Sequence, residues 1–407
     1  MPLEKPVLPL PAPRRLLADF GGQYAVNGVV AFLFAATGPV AIILAVGARG
    51  GLSESDLASW IFGAFFLNGL IGIALSLLYR QPLVFFWTIP GAVLVGPALG
   101  HLSFPEVIGA FYATGLLMLV LGLSGWVRRA TEAVPMPIVM AMVAGVFLRF
   151  GLDLVRAFRD DLWIALPMSA AFFALSAAPR LARAVPPLIG ALAVGAAAVW
   201  LLGSFKPPAG ALFAFAQPNL YVPQFSWAAM VELVVPLAIT VLVIQNGQGI
   251  AILAANGHQA PINAVTVACG AGSLLTALVG TVSTCLTGPV NAVISASGEK
   301  HRQYTSALFI GLLAMAFGLL APLFTRLMLA SPPSFIATLA GLAMLRVLQT
   351  AFTVSFRDRF TFGALVCFLI TVADVPIFNI GAAFWGLVFG LAASWLLDRG
   401  ELRRSNP

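Results

Sequence analysis

The sequence predicts an all-α polytopic membrane protein. It reads as fourteen transmembrane segments in a 7+7 inverted repeat, with short strands and half-helices at segments 3 and 10. Three observations predict this. Of 407 residues, 60% are hydrophobic and 9% charged, with mean hydropathy +0.99, a composition outside the range of soluble domains. The apolar runs divide seven and seven about a Pro-rich stretch. Finally, Thr88-Ile89-Pro90-Gly91 and Thr287-Gly288-Pro289-Val290, 199 positions apart, repeat a Thr-x-Pro start before runs too short to cross.

Residues 1–20 read as a cytoplasmic tail. Met1 to Pro13 is Pro-rich, Arg14 and Arg15 follow, and the pattern of a cleaved signal peptide is missing. The first repeat, 21–202, holds apolar segments at 21–46, 57–78, 88–100, 105–124, 134–152, 160–177 and 184–202. A linker, 203–226, carries Lys206-Pro207-Pro208, Pro218, Pro223 and aromatics suited to the headgroup level. The second repeat, 227–398, holds segments at 227–255, 261–279, 285–298, 303–327, 333–351, 358–373 and 378–398, before a C-terminal tail at 399–407. A crossing needs about 20 apolar residues, so the third segment of each set is short. Each short segment follows an extended-looking stretch, Pro82 to Trp87 or Thr281 to Cys285. Seven spans is an odd number, so the second repeat enters the bilayer from the opposite side.

Basic residues orient the chain. With both termini in the cytoplasm, sixteen of the 22 Lys and Arg lie inside, and six (Arg49, Arg149, Arg156, Arg159, Lys206, Arg326) lie outside. That scatter along span ends accounts for the net charge of +7 without a nucleic-acid partner. Cys269, Cys285 and Cys367 lie in or beside apolar segments and read as packing residues, with no metal-ligand spacing. There is no GxxxxGK[ST] loop, no HExxH and no nucleophile with its base. The sequence therefore predicts no enzyme, no cofactor and no metal.

The candidate binding residues follow from the broken segments. A Pro in the first helical turn loses no hydrogen bond, so Pro90 and Pro289 mark helix starts. Free N–H groups and the dipole make such starts attractive to anions, and two of them at mid-membrane predict one positive cradle built on Thr88, Ile89, Pro90, Gly91, Thr287, Gly288, Pro289 and Asn291. The bland alternative is a pair of kinked packing segments. The second cluster is Gln245-Asn246-Gly247-Gln248-Gly249, where three amides lie in an apolar run; helical spacing puts Gln245 and Gln248 on one face. Interhelical hydrogen bonding is the alternative there. Asn27 and Asn68 either complete a polar cavity or tie helices together. Glu232, among apolar neighbours, is the candidate for proton coupling. Arg149 and Asp153 stand four apart, where a pair can form on one face. His101, His258 and His301 fall in expected loops and read as solvated.

Several stretches resemble the benzoate/proton symporter family: Gln245-Asn246-Gly247-Gln248-Gly249-Ile250-Ala251, Pro261-Ile262-Asn263, Gly381-Ala382-Ala383-Phe384-Trp385-Gly386-Leu387, Tyr79-Arg80-Gln81-Pro82, Gly122-Leu123-Ser124-Gly125-Trp126 and Leu148-Arg149-Phe150-Gly151-Leu152-Asp153. They run from about residue 20 to 397. The resemblance implies inward movement of an aromatic carboxylate such as benzoate with a proton, across a bacterial inner membrane. More distantly the chain is similar to nucleobase and sulfate transporters, which implies a core domain moving against a gate domain, with substrate between the half-helices and the eighth span. Nucleobase members carry an acidic residue where this chain has Gln245; an amide there suits an anion and removes the obvious proton site. The rival reading is a passive channel or facilitator for small organic anions. Whether the chain pairs as a homodimer stays open.

Overall fold

The computed structural model describes residues 3–127, 135–182, 185–207, 213–295, 298–378 and 380–397. The expected tail 399–407, and Arg128, Arg129 and Arg183 of the charge count, lie outside them. The chain is mostly helical. Six stretches among the described residues are long and apolar enough to cross a bilayer: Gly22–Arg49, Glu54–Tyr79, Phe104–Ser124, Met136–Asp160, Trp227–Ala255 and Pro333–Phe356. Shorter apolar helices lie at Leu162–Ala177, Pro187–Leu201, Ile262–Ala277, Thr361–Ala373 and Ala382–Leu397.

The two Thr-x-Pro segments are not crossings. Each is a three-residue strand followed by a short helix: β1 (Phe85–Trp87) before Ile89–Ala98, and β2 (Thr284–Leu286) before Gly288–Ser295. The strands pair antiparallel, Phe85 with Leu286, Phe86 with Cys285 and Trp87 with Thr284. Thr88 N donates to Ser283 O at 3.0 Å and Thr287 N to Val84 O at 3.1 Å, which extends the ribbon to both helix starts.

A two-stranded ribbon has two open edges, and the membrane interior offers no water to satisfy them. Side chains from surrounding helices do so here. Asn291 Oδ1 accepts from Val84 N and its Nδ2 donates to Val84 O, both at 3.2 Å. Asn246 Oδ1 accepts from Leu286 N at 2.8 Å, and Ser273 Oγ from Thr284 N at 3.0 Å. Ser76 Oγ bonds both N and O of Leu83, and Asn68 Oδ1 accepts from the Thr284 hydroxyl. The polar residues that look expensive in apolar runs are the edge partners of the ribbon.

The helices form two groups. Gly22–Ala36, Glu54–Tyr79, Phe104–Ser124, Trp227–Ala255, Ile262–Ala277 and Tyr304–Leu319 pack around the ribbon. Met136–Asp160, Leu162–Ala177, Pro187–Leu201, Pro333–Phe356, Thr361–Ala373 and Ala382–Leu397 pack on one another. The seam between groups is crossed where Gly38–Arg49 meets Pro333–Phe356, where Ile89–Ala98 meets Met136–Asp160, and where Trp227–Ile239 meets Ala382–Leu397.

Two expectations need correction, and a third gains detail. The apolar run 303–327 is not one segment, because helices Lys300–Leu319 and Ala321–Leu329 meet at 64°; Pro322, lacking an N–H, begins a new helix there. The run 333–351 continues as helix to Phe356, where Phe352 and Phe356 pack on Phe368 of the next helix. The N-terminal tail is seated on the protein: Glu4 accepts from Asn263 N and Ala264 N at the start of Ile262–Ala277, and buried Asp19 bonds Tyr304 and pairs with Arg80.

Candidate functional site

A cavity of about 1140 Å³ opens in the seam between the two groups. The ribbon group supplies Trp87, Ile89, Pro90, Gln245, Gln248, Thr287 and Pro289, while Met140, Phe147, Phe172 and Arg346 come from the other group. The walls are mostly apolar and aromatic, with a few polar atoms, as in sites for drug-sized ligands.

The sequence places Gln245 and Gln248 on one helical face, and both line the cavity. Thr240–Asn246 is wound as a π-helix before Gly247–Ala255 resumes the α-helix, a device frequent at functional sites. Asn246 is turned instead to Leu286 of β2 and to Cys269. Gln248 lies flat on Gly288, where an added Cβ would meet its side chain at 2.5 Å. Glycine at 288 is what lets the amide reach the cavity.

The two helix starts differ. Thr88 is fully buried; its hydroxyl accepts from Gly91 N at 3.1 Å and donates to Thr240 Oγ1 at 3.0 Å, a closed N-cap. Gly91 is packed behind it, with Cβ space blocked by Thr88, Leu237 and Thr240. Thr287 does not repeat this. Thr287 lines the cavity, but its hydroxyl is buried and has no hydrogen-bond partner among the described residues. The Trp87 indole Nε1, also buried and on a cavity-lining residue, is likewise without a partner. Four residues of antiparallel ribbon separate the two starts, roughly 13 Å.

Asn291 is fully buried on the ribbon side, with its amide bonded to Val84 and to Thr287 O. Asn27 is partly exposed on Gly22–Ala36 and does not line the cavity; Asn68 is buried against Gly63 O, Ala64 O and Thr284. Sequence reading missed Trp87 and Arg346. The signals were the aromatic immediately before the first Thr-x-Pro, and a lone arginine inside an apolar run.

Glu232 lies elsewhere, in a second cavity of about 590 Å³ at the other end of the seam. Its carboxylate meets His101 Nε2 at 2.8 Å and accepts from the backbone of Gly381, across the seam. Arg149 and Asp153 also line up here, but not as a pair. Arg149 binds Asp374 at the end of another helix, and Asp153 binds Arg49 across the seam and Arg156 one turn on in its own helix.

His258 is buried rather than solvated. The chain turns back at Gly257 (φ +80°), His258 N bonds Leu253 O, and the ring meets Gln303 Oε1 at 2.7 Å. Burial, the largest cause, holds its pKa below the ordinary value of 6.5; the Gln303 bond opposes the shift and Lys300 adds to it. His101 is mostly covered and paired, whereas His301 is exposed. No group of three metal-ligating side chains exists among the described residues.

Comparison with known proteins agrees with this geometry. Inner membrane protein YdcO of Escherichia coli (strain K12) is 30% identical over 369 residues, covering 89% of this chain and 93% of that protein. The benzoate membrane transport protein of Acinetobacter baylyi is 26% identical over 393 residues, covering 94% and 97%. In fold, the transmembrane domain of the cyanobacterial bicarbonate transporter BicA superposes with a TM-score of 0.63 at 16% identity, covering 93% of this chain and 98% of that one. A family described as benzoate membrane transport protein matches residues 19–396. A helical membrane transporter rather than an enzyme, the chain belongs to the benzoate membrane transport protein family.

Proposed function

We propose that the protein is a secondary active transporter that imports an aromatic carboxylate of the benzoate class together with a proton, by alternating access across a bacterial inner membrane. The observation that carries this reading is a mostly apolar and aromatic cavity lined by Gln245 and Gln248, with two buried, unpartnered donors, Trp87 Nε1 and Thr287 Oγ1, on residues of its wall. A buried donor without a partner costs about 1–3 kcal/mol, so the site is incomplete until an acceptor arrives. An ionised carboxyl is acceptor-only, and the Gln245 and Gln248 amides add further donors. Among the described residues no acidic side chain lines the cavity to repel it. A separation of roughly 13 Å between helix starts exceeds the reach of one carboxylate. The carboxylate therefore sits at the open start, Thr287 to Pro289, and the ring lies towards Ile89 and Pro90.

In this reading the ribbon group is the core and the other group the gate, in a fourteen-crossing inverted repeat with both termini cytoplasmic. The large cavity is then the cytoplasmic mouth. The outer end of the seam is held shut by Arg49–Asp153 and by the bond between Glu232 and Gly381, so the conformation is inward-open. Glu232, the carboxylate on the moving core at that closure, is the group we assign to the coupled proton.

Uptake of labelled benzoate into proteoliposomes tests the function. A one-to-one symport with a monoanion is electroneutral, so accumulation should follow an imposed pH gradient and ignore membrane potential. Equilibration without accumulation or counterflow would make the protein a passive channel instead. Glu232→Gln should bind benzoate normally yet lose pH-driven accumulation; full accumulation would move the proton elsewhere.

A further inference from the structure

Among the described residues Arg346 is the one charged side chain that lines the large cavity. It lies at position 14 of the 24-residue helix Pro333–Phe356, roughly 20 Å along from one end and 15 Å from the other. An ionisable residue part-way along an apolar helix of this kind marks a substrate path. The side chain is exposed there, on a helix whose residues line the cavity.

Its surroundings leave it available. Among the described residues Arg346 has no ion-pair partner; its one side-chain hydrogen bond runs from Nη1 to Gln349 Oε1 at 3.1 Å on the same helix. The next turns of the same face, Val347, Thr350 and Val354, also line the cavity. One turn in the opposite direction Ala343 packs on Gly38, at the break of the helix that supplies Thr37 and Pro39 to the wall. Arg346 therefore stands on the gate side, about one turn towards the mouth from the level of that break.

Resting on the transport reading above, we propose that Arg346 is the gate-side contact of the substrate carboxylate, and that it selects anionic aromatic acids over their neutral analogues. The ligand is then shared between the two groups of helices. Thr287 and the two glutamines hold it from the core; a planar, permanently charged fork meets it from the gate. An arginine sealed into a closing seam without an anion would be a buried unpaired charge, which favours closure only around a negatively charged cargo.

Binding to the purified full chain tests this, using benzoate and its isosteric neutral amide, benzamide. Wild type should bind benzoate and discriminate strongly against benzamide. Arg346→Gln should weaken benzoate at least tenfold and leave benzamide unchanged, and Arg346→Lys should recover part of the loss. On wild-type protein, saturating benzoate should slow modification of Arg346 by phenylglyoxal, read peptide by peptide, without protecting Arg302. Equal benzoate affinity in wild type and Arg346→Gln, or absence of protection, overturns the assignment. Failure of wild type to bind any carboxylate would instead overturn the transport reading itself.

Discussion

The half-helices Ile89–Ala98 and Gly288–Ser295 start from the same three-residue pattern and are finished differently. At the first, Thr88 closes its own helix by capping Gly91 and bonding Thr240. At the second, Thr287 leaves its hydroxyl buried in the cavity wall with no partner among the described residues. Their far ends differ as well. Beyond the first, His101 meets a carboxylate, Glu232, whose other bond crosses to Gly381. Beyond the second, His258 meets an amide, Gln303, which in turn donates to Ser295 O at 3.0 Å. One half-helix is thus braced at its start and charged at its end; the other is open at its start and neutral at its end. A repeat in sequence supplies two equivalent scaffolds, and the side chains around them divide the work between support and recognition.

The widest effect should come from the support that both share. Asn291→Leu strips Val84 of partners for its buried N–H and C=O, at about 1–3 kcal/mol for each orphaned group. Thermal unfolding of the purified protein should shift sharply downward, with binding lost as a consequence. A variant that stays as stable as wild type and loses only binding would place Asn291 in the site rather than in the ribbon.

Substituting the two threonines sharpens the contrast directly. Thr287→Val removes a donor that the protein itself does not use, so stability should hold. A hydrogen bond to a charged acceptor contributes about 1.5–3 kcal/mol, so benzoate affinity should fall roughly 10- to 100-fold. Thr88→Val removes a cap, at about 1 kcal/mol of stability, with affinity nearly unchanged. If both variants weaken binding equally and neither is destabilised, the asymmetry is wrong.

The smallest effect concerns the neutral end. His258 has a lowered pKa in the folded chain, so the stability it contributes is intact above pH 6.5 and is lost as pH falls towards the lowered value. The melting temperature should drop between pH 7 and 5, and His258→Gln should flatten that drop by about 2 °C. An unchanged slope would remove His258 from the acid response.

Much of this was legible in the sequence. Pro90 and Pro289 announce the helix starts, and short apolar runs after extended stretches announce the strands. The amide pair Gln245 and Gln248 follows from helical spacing, although the π-helical turn that frees Asn246 for Leu286 leaves no pattern to read. Asn246 and Asn291 look like ligand contacts, because a polar residue in an apolar run is ambiguous until its partner is known. Here the partner is backbone on a strand about 40 or 200 positions away. The same long-range pairing hides His258 in a fold of the loop and sends Arg149 to Asp374 rather than to Asp153.

The ribbon also sets an order of events during synthesis. β1 leaves the ribosome with its hydrogen-bonding edge bare, and its mate Thr284–Leu286 is made about 200 residues later. At about 5–20 residues per second that is an interval on the order of 10–40 s. Throughout it, the nascent first half holds an open strand at the level of the lipid tails. Its insertion therefore depends on shelter from the translocon or a membrane chaperone until its counterpart arrives.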